Sequence, residues 1–128
     1  MVERLYHVWF STKARKEALQ GELGDDARRL LTETAQRAGI RRLEDDMAVD
    51  HVHLLVALAE GQTLPSVMHQ LKGATARSVF LKYPELKSDL GHISFWQKGY
   101  GSCRLDASEV PGVRRYTRTQ GATPLRHI

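Results

Sequence analysis

A chain of 128 residues is the size of one domain, and at that length folding buries about two thirds of the unfolded surface without help from a disulfide or structural metal. The single cysteine, Cys103, excludes an internal bridge and suits a reducing compartment. The longest apolar run, Leu54 to Ala59, is too short to span a bilayer, and no apolar signal core follows Met1, so a soluble, cytoplasmic protein without a membrane partner is expected. The net charge of +4 is unevenly placed. Residues 1–95 carry 13 Lys/Arg against 13 Asp/Glu, and residues 96–128 carry 6 against 2, so the excess lies in the C-terminal third. A local basic region suits a polyanion, although a solvated basic tail has the same composition.

In chain order, Leu5-Tyr6-His7-Val8-Trp9-Phe10 is aromatic and β-branched and predicts a first strand. A helix follows, with Asp25 and Asp26 near its start, apolar residues at Leu23, Ala27, Leu30, Leu31, Ala35 and Ala38, and Gly39 placed to end it. Ile40 to Val49 predicts a second strand and His51 to Leu58 a third, joined as a hairpin near Asp50. Thr63 is a candidate N-cap for a helix running to about Lys82, with a stripe at Val67, Met68, Leu71, Ala74, Thr75 and Val79, stopped by Tyr83-Pro84. Ile93-Ser94-Phe95-Trp96 is expected to start a fourth strand running into Gly99-Tyr100-Gly101, and a last helix is expected over about 108–120. Gly112 weakens that helix by roughly 1 kcal/mol relative to alanine, so it needs a docking partner. The order β-α-β-β-α-β is the ferredoxin-like α+β arrangement: an antiparallel sheet with two helices on one face, here within a single domain over 1–128 and followed by a C-terminal helix. Many unrelated activities use this architecture.

The chemistry-bearing candidates begin with His51 and His53. Two positions apart on a strand, they leave the same face, where two imidazoles can grip one cation, while Val52 and Leu54 point into the core. Alternatively they are two polar residues on an uncovered sheet face. Tyr116 and Gln120, four apart on the last helix, share a side and can converge on one point. A tyrosine hydroxyl, with a pKa near about 10, is a weak nucleophile unless a divalent cation polarises the phosphodiester it attacks. Gln120 offers a neutral oxygen ligand, and Arg114, Arg115 and Arg118 flank the tyrosine where they can hold a DNA backbone. A helix aromatic packed beside Val113 is the plain alternative for Tyr116. Of the other tyrosines, Tyr6 and Tyr83 read as structural, and Tyr100, between glycines, has no ligand-type residue at helical spacing. Trp96-Gln97-Lys98-Gly99-Tyr100-Gly101 suits either base stacking or a strand-end turn. Lys72 and Arg77 bracket Gly73-Ala74-Thr75-Ala76 and can contact phosphate, or belong to a tightly packed helix face.

Together, Asp50-His51-Val52-His53-Leu54-Leu55, Leu71-Lys72-Gly73, Phe95-Trp96-Gln97-x-Gly99-Tyr100-Gly101 and Arg115-Tyr116-x-x-x-Gln120 occur in the order seen in single-tyrosine HUH transposases, the TnpA-like enzymes of small insertion sequences. Tyr6-His7-Val8-Trp9 resembles their opening, and the likeness runs from about residue 4 to 120. It implies that His51, His53 and Gln120 hold Mg²⁺ or Mn²⁺. It implies that Tyr116 attacks a DNA phosphodiester, leaving a 5′-phosphotyrosine link and a free 3′-OH. It also implies a homodimer acting on single-stranded DNA with hairpins, the tyrosine helix of one chain serving the histidines of the other. Imidazole ligation favours Mn²⁺, availability Mg²⁺. A domesticated relative that only binds hairpin DNA is the competing reading. Val49 stands where many relatives carry proline, and Pro111-Gly112 makes the start of the tyrosine helix unusually weak.

Overall fold

The computed structural model describes residues 4–86, 94–106 and 108. Strand β1 (Arg4–Ser11) alternates: Val8 and Phe10 enter the apolar core, so His7 and Trp9 leave the other face. A short 3-10 turn, Lys13–Arg15, leads to helix α1 (Gly21–Arg37), which buries Ala27, Leu31, Thr34 and Ala35. Gly39, at φ +69°, takes the left-handed conformation that ends the helix, as its position predicts. Strands β2 (Arg41–Met47) and β3 (His51–Leu58) form the expected hairpin. Helix α2 (Leu64–Lys82) starts where predicted, with the Thr63 side chain accepting from the Ser66 N–H at 3.4 Å and Pro65 in the first turn.

β3 pairs antiparallel with β2 on one side and β1 on the other, and β4 (Gly101–Leu105) adds to the far edge of β1. The resulting order, β2-β3-β1-β4, with α1 packed beside α2, is the ferredoxin-like α+β fold expected from the element order. Val52, Leu54, Val56 and Leu58 of β3 join Val8 and Phe10 of β1 beneath the helices, meeting Leu31 from α1 and Met68 and Leu71 from α2. No helix among the described residues is long and apolar enough to cross a membrane.

The fourth strand departs from expectation. Phe95 and Trp96 are not its start: Trp96 forms only an isolated bridge to Thr12, and the ladder begins at Gly101. Both aromatics are drawn into the core instead. Trp96 sits edge-on to Phe10 at 4.7 Å and to Phe95 at 4.8 Å, and Phe95 edge-on to Phe80 at 6.0 Å. Burying two large rings outweighs a ladder that the following glycines would support poorly. The helix expected over about 108–120, and with it Tyr116, Gln120, Arg114, Arg115 and Arg118, lies outside the described residues apart from Ser108.

Candidate functional site

The alternation that sends Val52 and Leu54 to the helices sends His51 and His53 to the opposite face, as predicted. That face is not open. His7, His51 and His53 are each 1% exposed, and Leu55 and Ala57 beside them are also buried. The rings contribute to the cover themselves. His53 meets His51 edge-on at 5.3 Å and lies against His7 at 5.2 Å, and Trp9 tilts over His7 at 5.2 Å. Trp9 stands directly across from His53 on one side and from Gly101 on the other. A Cβ at Gly101 would fall inside the indole, so only glycine leaves this ring its place.

Each histidine has its own support. His51 Nδ1 lies 2.8 Å from Asp50 Oδ1, and Asp50 Oδ2 accepts from Arg15 Nε at 3.0 Å. Burial pushes the Asp50 carboxyl up, but the hydrogen bonds from Arg15 and His51 prevail and hold it below the usual carboxylate range. Asp50 is fixed in turn by the segment after β1, where the Thr12 N–H donates to the Asp50 carbonyl at 3.0 Å and the Leu19 N–H to the Val49 carbonyl at 2.8 Å. His53 Nδ1 lies 3.1 Å from His7 Nε2. Burial lowers the pKa of His7 from 6.5 to about 4, and burial together with the neighbouring imidazoles does the same for His53, so both are neutral near pH 7.

One atom stands out chemically. His51 Nε2 is buried with no hydrogen-bond partner, and in the neutral ring that donates Nδ1–H to Asp50 this nitrogen carries the lone pair. A carboxylate–imidazole pair with a bare distal nitrogen is the donor arrangement a divalent cation takes, so the residues fit a metal. Asp46, directly across from His53 on β2, accepts from the Met47 N–H through Oδ1, and its Oδ2 is buried and unpartnered. Burial raises its pKa. Among the described residues, no cluster of three His, Cys, Asp or Glu side chains is close enough to hold a metal ion.

The fold separates the candidates on α2 from the pair. α2 packs on the opposite side of the sheet, so Lys72 and Arg77 are not neighbours of His51 and His53. They line a cleft of about 570 Å³ with Phe80, Phe95 and Trp96. Lys72 Nζ donates to the carbonyls of Gln97 at 2.9 Å and Gly99 at 2.5 Å, which ties the approach to β4 onto the helix. Arg77 is exposed, and its guanidinium lies over Gly73. Tyr83 is structural, its hydroxyl donating to Asp26 at 2.6 Å, and Tyr6 packs against the core. Sequence reasoning did not single out His7 or Arg15. His7 carried a weak signal, since it shares the face of Trp9 on a strand whose alternate residues are core.

A supported histidine pair on the sheet face away from the helices suits a metal-assisted enzyme, and similarity to known proteins gives the class. The family model for IS200-like transposases matches residues 2–120, and the chain belongs to that family of DNA-cleaving, strand-transferring enzymes. It is 36% identical over 115 residues to the ISDra2 transposase of Deinococcus radiodurans, covering 90% of this chain and 82% of that protein. It is 28% identical over 95 residues to the transposase of insertion sequence element IS200 from Salmonella typhimurium, covering 74% and 62%. Its fold matches a crystal structure described as that of a transposase from Deinococcus radiodurans R1, with a TM-score of 0.76, 26% identity and coverage of 96% and 95%. It also matches a REP-associated tyrosine transposase bound to a REP hairpin, with a TM-score of 0.66 and coverage of 89% and 64%. At 12% identity that likeness concerns the fold alone.

Proposed function

We propose that this transposase cuts and rejoins single-stranded DNA with Tyr116 as nucleophile and a divalent cation, Mg²⁺ or Mn²⁺, held by His51, His53 and Gln120. The observation that carries the reading is the bare, buried Nε2 of His51 behind its Asp50–Arg15 support. A cation bound there supplies electrophilic stabilisation of the phosphoryl oxygens. The Tyr116 hydroxyl attacks phosphorus, the P–O3′ bond breaks, and the departing 3′ oxygen leaves as a hydroxyl with the proton the tyrosine gave up. The 5′ end stays on the enzyme as a phosphotyrosine. Attack by another 3′-OH reverses the step, and because one phosphodiester replaces another no ATP is needed.

The substrate in this reading is DNA with a hairpin, in keeping with the REP hairpin bound to the REP-associated neighbour of the same fold. Lys72, Arg77, Arg114, Arg115 and Arg118 contact its backbone, and the enzyme works as a single-domain homodimer with the tyrosine helix docked in trans. The cations of α2 lie on the far side of the sheet from the histidines, so they serve a part of the DNA distant from the scissile phosphate. The test is a denaturing gel of the protein incubated with hairpin oligonucleotides and Mn²⁺. Wild type should form a covalent adduct that chelator prevents. Tyr116→Phe, which removes only the hydroxyl, should form none while binding the hairpin within a few-fold of wild type. An adduct on the Phe variant would transfer the nucleophile's role to Tyr100, and hairpin binding without an adduct on wild type would favour a DNA-binding role alone.

A further inference from the structure

We infer that His7 is a positioning residue for His53: its Nε2 accepts the Nδ1–H of His53 and so leaves the Nε2 of His53 bare for the cation. The inference rests on the metal reading above and extends it to a residue outside the ligand set.

A neutral imidazole carries its proton on one nitrogen or the other, and only the bare nitrogen can ligate. For His51 the choice is made by Asp50, which can only accept when ionised and therefore holds the proton on Nδ1. His53 has no carboxylate on its Nδ1. Its partner there is His7, reached across the β1–β3 ladder on a diagonal, since the residue directly opposite His7 is Leu55. The two rings are inclined by 22°, and 3.1 Å between the nitrogens is a hydrogen-bonding distance. Trp9 packs against His7 at 5.2 Å and restrains its ring, and the whole cluster is buried, so water does not compete for the bond.

Two hydrogen-bond directions are available, and they have opposite consequences. If His53 donates, its Nε2 is a ligand. If His7 donates, His53 must carry its proton on Nε2 and is lost to the metal. The first direction leaves both histidines bare at the same ring nitrogen, Nε2, two residues apart on one face. It also explains why a neutral acceptor stands where a second carboxylate would bury another charge.

Side-chain ¹⁵N NMR of the full chain without metal, near pH 7.5, reads the tautomer directly. His53 should be protonated on Nδ1. His7→Phe, which keeps a flat ring and removes the acceptor, should release His53 into a mixture of tautomers and weaken Mn²⁺ binding, followed by calorimetry, by about 10–100-fold. His7→Gln, whose amide oxygen can accept, should stay within a few-fold of wild type in affinity and keep the Nδ1–H form. A wild-type His53 protonated on Nε2 would overturn the inference, as would a folded His7→Phe protein with unchanged tautomer and unchanged affinity. If His7→Phe does not fold, the wild-type spectrum and the His7→Gln affinity decide the matter. Should wild type take up no Mn²⁺ at all, the metal reading of the site falls, and the tautomer alone decides the direction of the His7 bond.

Discussion

Moving a protonated imidazole out of water costs free energy, and burial accordingly lowers His7 and His53 from 6.5 to about 4. Below pH 6.5 the unfolded chain takes up protons that the folded chain refuses. The stability these two groups contribute is therefore fully present above about pH 6.5 and is lost as the pH falls towards 4. For metal-free protein, urea titrations at pH 7 and pH 4.5 should differ by on the order of 5 kcal/mol, with the acidic sample the weaker. No difference between them would mean that the two imidazoles titrate as they do in water. The same residues show where a sequence is hard to read. His51 and His53 announce themselves by spacing, whereas the partner that orients His53 lies 46 residues away, and no local pattern joins them.

At the scale of elements, both helices were legible because burial on one side leaves a period of about 3.6 in the residues, and β1 and β3 because they are short runs rich in apolar, aromatic or β-branched residues. β4 was not. Gly101-Ser-Cys-Arg-Leu105 has no alternation, with the middle three residues exposed, and it is a strand only because the edge of β1 pairs with it. Phe95-Trp96 has strand composition but fills the core. The place of β4 depends on Gly101, where any side chain collides with the Trp9 indole. Gly101→Ala should force Trp9 off the histidine cluster and destabilise the fold by about 1–3 kcal/mol, measured by denaturant titration. Its lost Trp9 fluorescence environment should be visible even where the protein stays folded. A variant with unchanged stability and spectrum would show that the indole has room to move.

For the whole molecule the asymmetry of charge matters most, since residues 96–128 hold 6 cations against 2 acids while the rest is balanced. If this third lies along DNA, affinity for single strands should fall log-linearly with salt, with a slope of about −0.7 per phosphate neutralised. Replacing Arg114 and Arg118 should flatten the slope, and an unchanged slope would place the excess charge away from the nucleic acid. The sheet order has a separate consequence. β3 is an interior strand, hydrogen-bonded on both sides and buried on both faces, and it carries both histidines. Its amides from Val52 to Ala57 have no local route to solvent, so their hydrogen exchange should proceed only through global unfolding and report the full stability of the domain. A histidine pair built there cannot fray ahead of its scaffold. Heating should then scatter the pair and unfold the sheet in one transition, and any earlier loss of activity would have to arise elsewhere than at β3.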